Sequence, residues 1–415
     1  MALDISAARL DPVLLDLPWE VPLEEWPEDH LAALPRGISR HVVRFVKLSG
    51  GVIAVKEIHE HLARREYDTL RLLNRIDQPA VEPLAVISGR TTAQGEVLDA
   101  CLVTRHLRFS LPYRAIFSQH LRPDTGRRVL DALAVLLVRL HLNGVFWGDV
   151  SLSNTLFRRD AGDFAAYLVD AETASVYPRL SDGQREHDLY IAHGNIAGEL
   201  MDLEAGGFLD EAADPIEIAD RIMHRYNLLW KELTETERFE RGDRWRVEER
   251  VRRLNNLGFD VDELEISTDI DGTQIQIRPK IVDAGYHSRR LMHLTGLDVE
   301  ENQARRLLND LDSYRAALHR QNDDEAQVAH DWLANIYEPV TRTVPPELRA
   351  KVEPAELFHE VLEHRWYLSE RAGHDMTIEE AVRDYVDMVL PSKPDEAAVL
   401  GVDTGEIPIQ ADTTR

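Results

Sequence analysis

The sequence predicts an α+β protein, with a small antiparallel sheet near the N-terminus and helices over much of the remaining chain. Residues 41–48 and 52–56 are two runs rich in β-branched residues, and Ser49-Gly50-Gly51 between them is typical of a hairpin turn. The segment from Glu60 to Ile76 carries apolar residues at helical spacing. The N-terminal part of the chain therefore combines strands with a helix.

A buried helix and a second pair of strands are predicted further along the chain. Residues 131–141 are apolar at nearly every helical turn and end at Asn143-Gly144, a typical left-handed helix stop. Residues 155–157 and 165–169 are typical of short strands joined by a polar turn. The predicted local order is helix, loop, strand and strand.

Two aspartates and an asparagine border these strands. Asp149 and Asn154, five residues apart, lie on the loop after the helix, and Asp170 follows the second strand. An aspartate in the first position can accept the proton of an attacking hydroxyl, while the amide oxygen and the second carboxylate can hold Mg²⁺. For either aspartate taken alone, an ordinary role at a turn or a strand end is the favoured interpretation.

A lysine and a glutamate complete the candidate site. Lys56 ends the second strand of the first hairpin, and Glu66 lies on the following helix beside Leu70 and Leu73. This spacing lets Glu66 face the strand while the apolar stripe is buried. A lysine held by such a carboxylate is positioned to bind the α- and β-phosphates of a nucleotide.

These motifs together resemble those of the protein-kinase-like superfamily, over about residues 37–230. Val-Ile-Ala-Val-Lys56 is similar to the strand lysine motif of that superfamily, and Arg-Glu66 to its partner glutamate. The segment from Asp149 to Asn154 resembles the catalytic loop, and Leu-Val-Asp170 the metal-binding aspartate. The resemblance implies a bilobal fold that binds ATP and Mg²⁺ between a small antiparallel sheet and a helical lobe.

The resemblance also assigns a supporting role and has clear departures. Asp188 looks like the helix aspartate that braces the catalytic loop. Trp147-Gly148 replaces the usual histidine-arginine pair, and Ala171-Glu172 replaces phenylalanine-glycine. The missing arginine argues against control by a phosphorylated activation loop. The chain is more similar to atypical, lipopolysaccharide-core (Kdo) and aminoglycoside-phosphotransferase kinases, within an uncharacterised bacterial family.

The glycine-rich phosphate loop of such enzymes is represented here by a short segment only. Gly37 and Ser39, in Arg36-Gly-Ile-Ser39-Arg40, stand where the triphosphate would be covered. Backbone amides in such a segment can bind phosphate. A plain β-turn accounts for the same residues equally well, so both interpretations stay open.

The sequence predicts six regions, with the kinase-like part in the N-terminal half and further modules after it. They are an N-terminal extension (1–36), an N-lobe (37–106), a C-lobe (107–233), an α-β-β-α module (234–320), a helical region (321–392) and a flexible tail (393–415).

The α-β-β-α module concentrates basic residues. If several converge, they would bind an anionic ligand or a protein partner; alternatively, they solvate amphipathic helices and pair with nearby acids. The basic residues are Arg252, Arg253, Arg278, Lys280, His287, Arg289, Arg290, His293, Arg305 and Arg306.

Composition limits the classes of partner. The net charge is −26, from 74 acidic and 48 basic side chains, which weighs against a general nucleic-acid or anionic-membrane surface. No apolar run approaches the roughly 18 residues of a spanning helix, and the N-terminus lacks a signal pattern, so we expect a cytoplasmic protein. The single cysteine, Cys101, excludes a disulfide within the chain.

Two hypotheses about function follow. The first is a phosphotransferase that moves the γ-phosphoryl group of ATP to a hydroxyl of a small molecule, a sugar or a protein. The second is a pseudokinase scaffold whose C-terminal module mediates binding or regulation. Retention of Lys56, Asp149, Asn154 and Asp170 favours the first, while the short phosphate segment and Trp147 favour the second.

Overall fold

The computed structural model describes residues 3–8, 12–27, 31, 41–48, 51–117, 123–209, 214–235, 237–240, 249, 252, 259–268 and 274–393. The fold is α+β with small antiparallel sheets. Within the described residues it forms two compact units. The first contains the chain up to Arg158 together with Ala166–Met223, and the second contains Arg159–Ala165 and the chain from His224 onwards.

A five-stranded antiparallel sheet, in the order β1-β4-β5-β3-β2, forms the N-terminal part of the first unit. One of its faces packs against residues 12–27, where Trp19 and Trp26 are buried in one apolar cluster with Val55. The predicted hairpin is β2 and β3, and the predicted helix is α1. The elements are β1 (Asp4–Ala7), β2 (Val43–Leu48), β3 (Gly51–Ile58), α1 (Glu60–Arg75), β4 (Pro83–Ser88) and β5 (Ala100–Arg105).

A buried arginine fastens the N-terminal segment to this sheet. The Arg90 side chain is fully buried and donates to the carbonyl oxygens of Trp19 and Val21, at 2.9 and 2.7 Å. Its charge is paired with Glu57 at 2.5 Å. A buried guanidinium needs such partners, because an unpaired one would destabilise the fold.

Helices and short strands follow in the first unit. α3 is the predicted buried helix, and it begins earlier in the chain than residue 131. After α3, Gly144 has a φ of +74°, and an added Cβ would lie 2.0 Å from the carbonyl oxygen of Tyr177, so only glycine fits. The elements are β6 (Ser110–Pro112), α2 (Tyr113–Phe117), α3 (Pro123–Leu142), β7 (Val145–Phe146), β8 (Thr155–Asp160), β9 (Asp163–Leu168), β10 (Ser175–Val176), α4 (Asp182–Ala205) and α5 (Pro215–Thr234).

Some of these elements also contribute residues to the second unit. The strands β6, β8 and β9 form one sheet, and β7 pairs with β10. The turn between β8 and β9 and the last part of α5 belong to the second unit.

The second unit contains a three-stranded sheet, ordered β11-β13-β12, and a set of helices. Two π-helical turns interrupt these helices, at Leu333–Tyr337 and Tyr385–Val389. The predicted turn Asp271-Gly272 lies outside the described residues. The elements are β11 (Glu237–Glu240), β12 (Phe259–Thr268), β13 (Gln274–Ala284), α6 (Tyr286–Thr295), α7 (Glu301–Ala317), α8 (Glu325–Trp332), α9 (Glu338–Thr343), α10 (Pro354–Ala372) and α11 (Ile378–Asp384).

One apolar core joins the helices of the second unit. Leu291 of α6 and Leu307 of α7 belong to the same buried cluster as Trp332, Phe358 and Tyr385. This cluster draws residues from both sides of residue 320, where the sequence predicts a boundary between a module and a helical region. The six predicted regions stay predictions. No helix among the described residues combines the length and the apolar character needed to cross a bilayer.

Candidate active site

Lys56 lies on the face of the five-stranded sheet opposite its apolar core. Successive side chains of a strand point to opposite faces, so Val55 enters the core while Ala54 and Lys56 face the other way. The Lys56 ammonium lies 2.7 Å from an oxygen of Asp170, 3.1 Å from Glu66 and 3.6 Å from Glu172. One cation is therefore surrounded by three carboxylates.

The protonation of this cluster follows from its burial. Burial alone would lower the pKa of Lys56, but the negative charges of Glu66 and Asp170 raise it above its usual value, so the ammonium keeps its charge. Burial raises the pKa of Glu66 to about 7; Asp170 adds to this shift, and Lys56 opposes it. Near neutral pH, Glu66 is therefore present in both its charged and its protonated form, beside a charged lysine.

Glu66 connects the sheet to the loop that carries Asp170. It belongs to the buried side of α1, together with Tyr67, Leu70 and Leu73. One of its oxygens accepts from Lys56, and the other accepts the N–H of Ala171 at 3.3 Å. Glu66 thereby fixes the strand lysine and the residue after Asp170 relative to each other.

Asp149 is held by side-chain amides on both of its oxygens. Asn154 donates its side-chain N–H to one carboxylate oxygen at 3.2 Å, and to the Asp149 carbonyl oxygen at 3.0 Å. Asn195 of α4 donates to the other carboxylate oxygen at 3.1 Å. The Asp149 carboxylate is therefore oriented, which a group that accepts a proton from a substrate requires.

Asp188 supports the loop from inside the first unit. Its side chain is fully buried and accepts the N–H groups of Trp147 and Gly148, both at 2.8 Å. The same carboxylate lies 3.0 Å from the His141 ring. The indole N–H of Trp147 donates to the carbonyl oxygen of Asp170 at 2.8 Å. The loop of Asp149 and the loop of Asp170 are thus joined through Trp147.

Two residues of α4 that no sequence motif indicated also contact the loop of Asp149. Asn195 contacts Asp149, and Glu199 accepts the N–H groups of Leu152 and Ser153, at 2.6 and 2.9 Å. Asp188, Asn195 and Glu199 stand at positions i, i+7 and i+11 of α4, which places them on one side of the helix. That spacing was the sequence signal for both residues.

Glu172 supplies a further carboxylate beside Asp170. Within the described part of the chain, ligand oxygens of Glu66, Asp170 and Glu172 all lie within 4.8 Å of one another. Glu172 also lies 3.2 Å from the ring of His41. Carboxylate and amide oxygens are the donors that Mg²⁺ prefers, so this set fits a hard divalent cation. The predicted ligands Asn154 and Asp170 face the same cavity.

A cavity of about 800 Å³ in the first unit collects these groups. Its size suits a nucleotide-sized ligand. The polar lining includes Lys56, Glu66, Asp149, Asn154, Asp170, Glu172, Asn195 and Glu199, and the apolar lining includes Ala54, Val81, Leu102, Leu156 and Val169. Asp188 does not line the cavity. The predicted phosphate-contacting residues Gly37 and Ser39 lie outside the described residues.

Comparisons with known proteins found one matching family model and similar solved structures. Residues 228–390 match a family model described as a domain of unknown function (DUF4032). No curated protein matches the chain. Among solved structures, the chain is similar to one titled "WaaP in complex with acyl carrier protein". The identity is 17% over 62% of this chain and 99% of that chain, with a TM-score of 0.36.

Proposed function

We propose that the first unit is an ATP- and Mg²⁺-dependent phosphotransferase with a protein-kinase-like arrangement, which transfers the γ-phosphoryl group to a hydroxyl of an acceptor. The observation that carries the proposal is the meeting of a lysine, two aspartates and an asparagine in one cavity. Lys56, Asp149, Asn154 and Asp170 come from separate elements, and all of them line it. Polar groups with matched roles in one cleft are typical of an active site.

In this proposal, two cations bind the triphosphate: a lysine of the protein and Mg²⁺. Lys56 binds the α- and β-phosphates, and Glu66 holds it in place. Asp170 and Asn154, with Glu172 beside them, hold Mg²⁺. When bound, Mg²⁺ neutralises charge on the triphosphate. The Lys56 ammonium already lies among the same carboxylates in this structure, so a phosphate contact requires it to exchange one of these partners.

Asp149 is the proton acceptor in this proposal. Its carboxylate is oriented by Asn154 and Asn195, one on each oxygen. A hydroxyl that attacks the γ-phosphorus loses its proton as the new P–O bond forms and the bond between the γ-phosphorus and the oxygen of the leaving ADP breaks. Asp149 receives that proton or orients the hydroxyl that carries it.

The apolar side of the cavity suits the base of the nucleotide. Ala54 and Leu102 come from the sheet, and Leu156 comes from β8. A purine is flat and largely apolar on its faces, so side chains of this kind can pack against those faces.

Nucleotide binding tests the proposal most directly. Mg²⁺-ATP should raise the unfolding temperature of the wild type; stabilisation is about 2.7 kcal/mol when ligand exceeds its dissociation constant a hundredfold. Asp170→Asn should abolish the Mg²⁺-dependent part of the shift. Asp16→Asn, at an exposed position of the same unit, is the matched control and should behave as wild type. No shift at millimolar nucleotide, with or without Mg²⁺, would contradict the proposal.

A scaffold function is the second candidate. The match to a domain of unknown function covers residues 228–390, outside the part of the chain that lines the cavity. In this alternative the second unit carries the activity, and the cavity serves at most to bind nucleotide. Nucleotide binding without any consumption of ATP, and with no effect of Asp149→Asn, would favour it.

A further inference from the structure

The turn between β8 and β9 is part of the second unit, although its two strands lead to the proposed metal ligands. Asn154 directly precedes β8, and Asp170 follows β9 by two residues. The Val169 N–H donates to the Asn154 carbonyl oxygen at 3.0 Å, which closes the ends of the two strands beside both ligands. A change in the position of this hairpin therefore changes the backbone at Asn154 and Asp170.

One carboxylate contacts both residues of the turn. Glu356 of α10 accepts the Ala161 N–H at 2.7 Å and the Gly162 N–H at 3.3 Å, one on each of its oxygens. Both turn residues have positive φ, +52° and +86°, as a two-residue hairpin turn of type I′ requires. Ala161 is strained in this conformation, so the turn needs external contacts to keep it.

A second set of hydrogen bonds reaches the turn from α7. Asp160 accepts the backbone N–H of Gln303 at 2.7 Å and the side-chain amide of Asn302 at 2.9 Å. Gln303 also donates to the Arg159 carbonyl oxygen at 3.0 Å and to Glu356 at 3.2 Å. Asp160, Gln303 and Glu356 are each buried, with at most 3% of the residue exposed.

The carboxylates of this network fix the geometry of the turn through their hydrogen bonds. Burial, with Glu300 adding, raises the pKa of Asp160 well above its usual range. Burial, with Glu360 adding, raises the pKa of Glu356. Buried carboxylates stabilise a fold less than apolar packing would, but their hydrogen bonds fix the geometry of the groups that they contact. The N–H groups of Ala161 and Gly162 need an acceptor, and a carboxylate that accepts from both of them also fixes their position.

We propose that Glu356 is a positioning residue of the phosphotransfer site: it holds the β8–β9 turn and thereby sets the placement of Asn154 and Asp170. Asn302, Gln303 and Glu356 all lie in residues 228–390, so this gives a role to the domain of unknown function. The part that concerns Mg²⁺ rests on the proposed function. The part that concerns the hairpin stands on the hydrogen bonds alone.

The first test measures the hairpin without any ligand. Hydrogen exchange of the full chain, read by mass spectrometry over residues 154–170, is compared for wild type, Glu356→Ala and Glu356→Gln. Glu356→Ala should speed exchange at Ala161 and Gly162, and also at Val169, whose N–H donates to Asn154. Glu356→Gln should show the same pattern at smaller amplitude, because its remaining carbonyl oxygen accepts one N–H. Glu370→Gln, exposed on the same helix, should match wild type.

The second test measures Mg²⁺ dependence. The Mg²⁺ concentration that gives half of the nucleotide-induced thermal shift should rise about tenfold in Glu356→Ala, the usual effect of losing a group that orients metal ligands. The shift given by nucleotide without Mg²⁺ should change less than this, because Lys56 is also held by Glu66, which lies outside the hairpin. A purely structural role would lower the unfolding temperature in both cases without changing the Mg²⁺ requirement.

The outcomes separate the two proposals. Faster exchange confined to residues 159–165, with Val169 and the Mg²⁺ requirement unchanged, would overturn the positioning role of Glu356. If the wild type binds no nucleotide, the proposed function fails, and exchange at Val169 alone decides the positioning role. Should Glu356→Ala fail to fold, the isosteric Glu356→Gln gives the same comparison at smaller amplitude.

Discussion

Trp147 donates its indole N–H to the carbonyl oxygen of Asp170, although the two residues lie on different loops. Its ring is fully buried, and its backbone N–H is accepted by Asp188. Trp147, which replaces a residue of the predicted catalytic-loop motif, therefore contacts both Asp188 and the loop of Asp170.

Trp147→Phe should destabilise the protein by about 1–3 kcal/mol, because it leaves the Asp170 carbonyl oxygen without its buried donor. Chemical unfolding of wild type and variant measures the difference. Trp366→Phe is the control, since Trp366 is largely exposed and the same substitution there should cost less than about 0.5 kcal/mol. Equal effects at the two positions would show that the indole hydrogen bond contributes nothing to stability.

Asp149→Asn should preserve folding and Mg²⁺-ATP binding while lowering the rate of phosphoryl transfer at least about a hundredfold, the usual contribution of a placed general base. The asparagine retains the shape of the side chain but cannot accept a proton. ATP consumption and intact mass, measured for both proteins side by side, give the rates. Asp16→Asn serves as control, and equal turnover in wild type and Asp149→Asn would remove Asp149 from the chemistry.

Lys56→Met should destabilise the first unit and weaken nucleotide binding, because the buried Glu66 loses its cation. Removing one partner of a buried pair costs about 3–5 kcal/mol. Because Asp170, the second partner of Lys56, is partly exposed, we expect the cost of Lys56→Met to lie toward the lower end of this range. Adding Glu66→Leu to Lys56→Met should restore part of the stability but none of the nucleotide affinity.

Lys231→Met, at a largely exposed lysine, is the matched control for this cycle. Chemical unfolding gives the coupling energy between Lys56 and Glu66. If the double variant is no more stable than Lys56→Met, the ion pair is not the interaction that Lys56 contributes.

His106 makes the stability of the first unit depend on pH. Burial lowers the pKa of His106 to about 4, from 6.5 for the exposed side chain. Between these values the unfolded chain binds a proton that the folded protein does not, so stability is complete above pH 6.5 and falls as pH decreases toward 4. The full effect is about 3 kcal/mol.

His106→Leu should flatten this part of the profile, and His61→Gln, at an exposed histidine, should leave it unchanged. Unfolding free energies measured from pH 7 to pH 4 give both slopes. A slope in His106→Leu equal to that of the wild type would assign the acid sensitivity to other groups.

The sequence reached the parts of the site that local patterns determine. Strand alternation predicts that Lys56 and Val55 point to opposite faces of the sheet. Helical spacing predicts that Glu66 faces the strand. Both predictions involve residues close in the chain. The roles of these residues stay predictions. Asn195 and Glu199 lie in the same helix as Asp188. Their spacing from Asp188 was a signal that the sequence contained.

Other contacts had no local signal. Glu356 meets Ala161 across 195 positions of the chain, and no periodicity relates two segments so far apart. The sequence shows Glu172 two residues after Asp170, but no local pattern shows that the Glu172 carboxylate meets that of Glu66. The core shared by the helices on both sides of residue 320 also had no local signal. The sequence pattern shows that each helix has an apolar side, but not which other helix covers that side.

The attachment of residues 12–27 to the five-stranded sheet has a practical consequence for fragment design. A fragment that begins at residue 37 would lose Trp19 and Trp26, and would leave Arg90 without two of its carbonyl acceptors. Such a truncated protein would expose one face of its sheet to solvent and would be prone to aggregate during expression. Crystallisation or assay of the first unit alone should therefore retain residues 12–27.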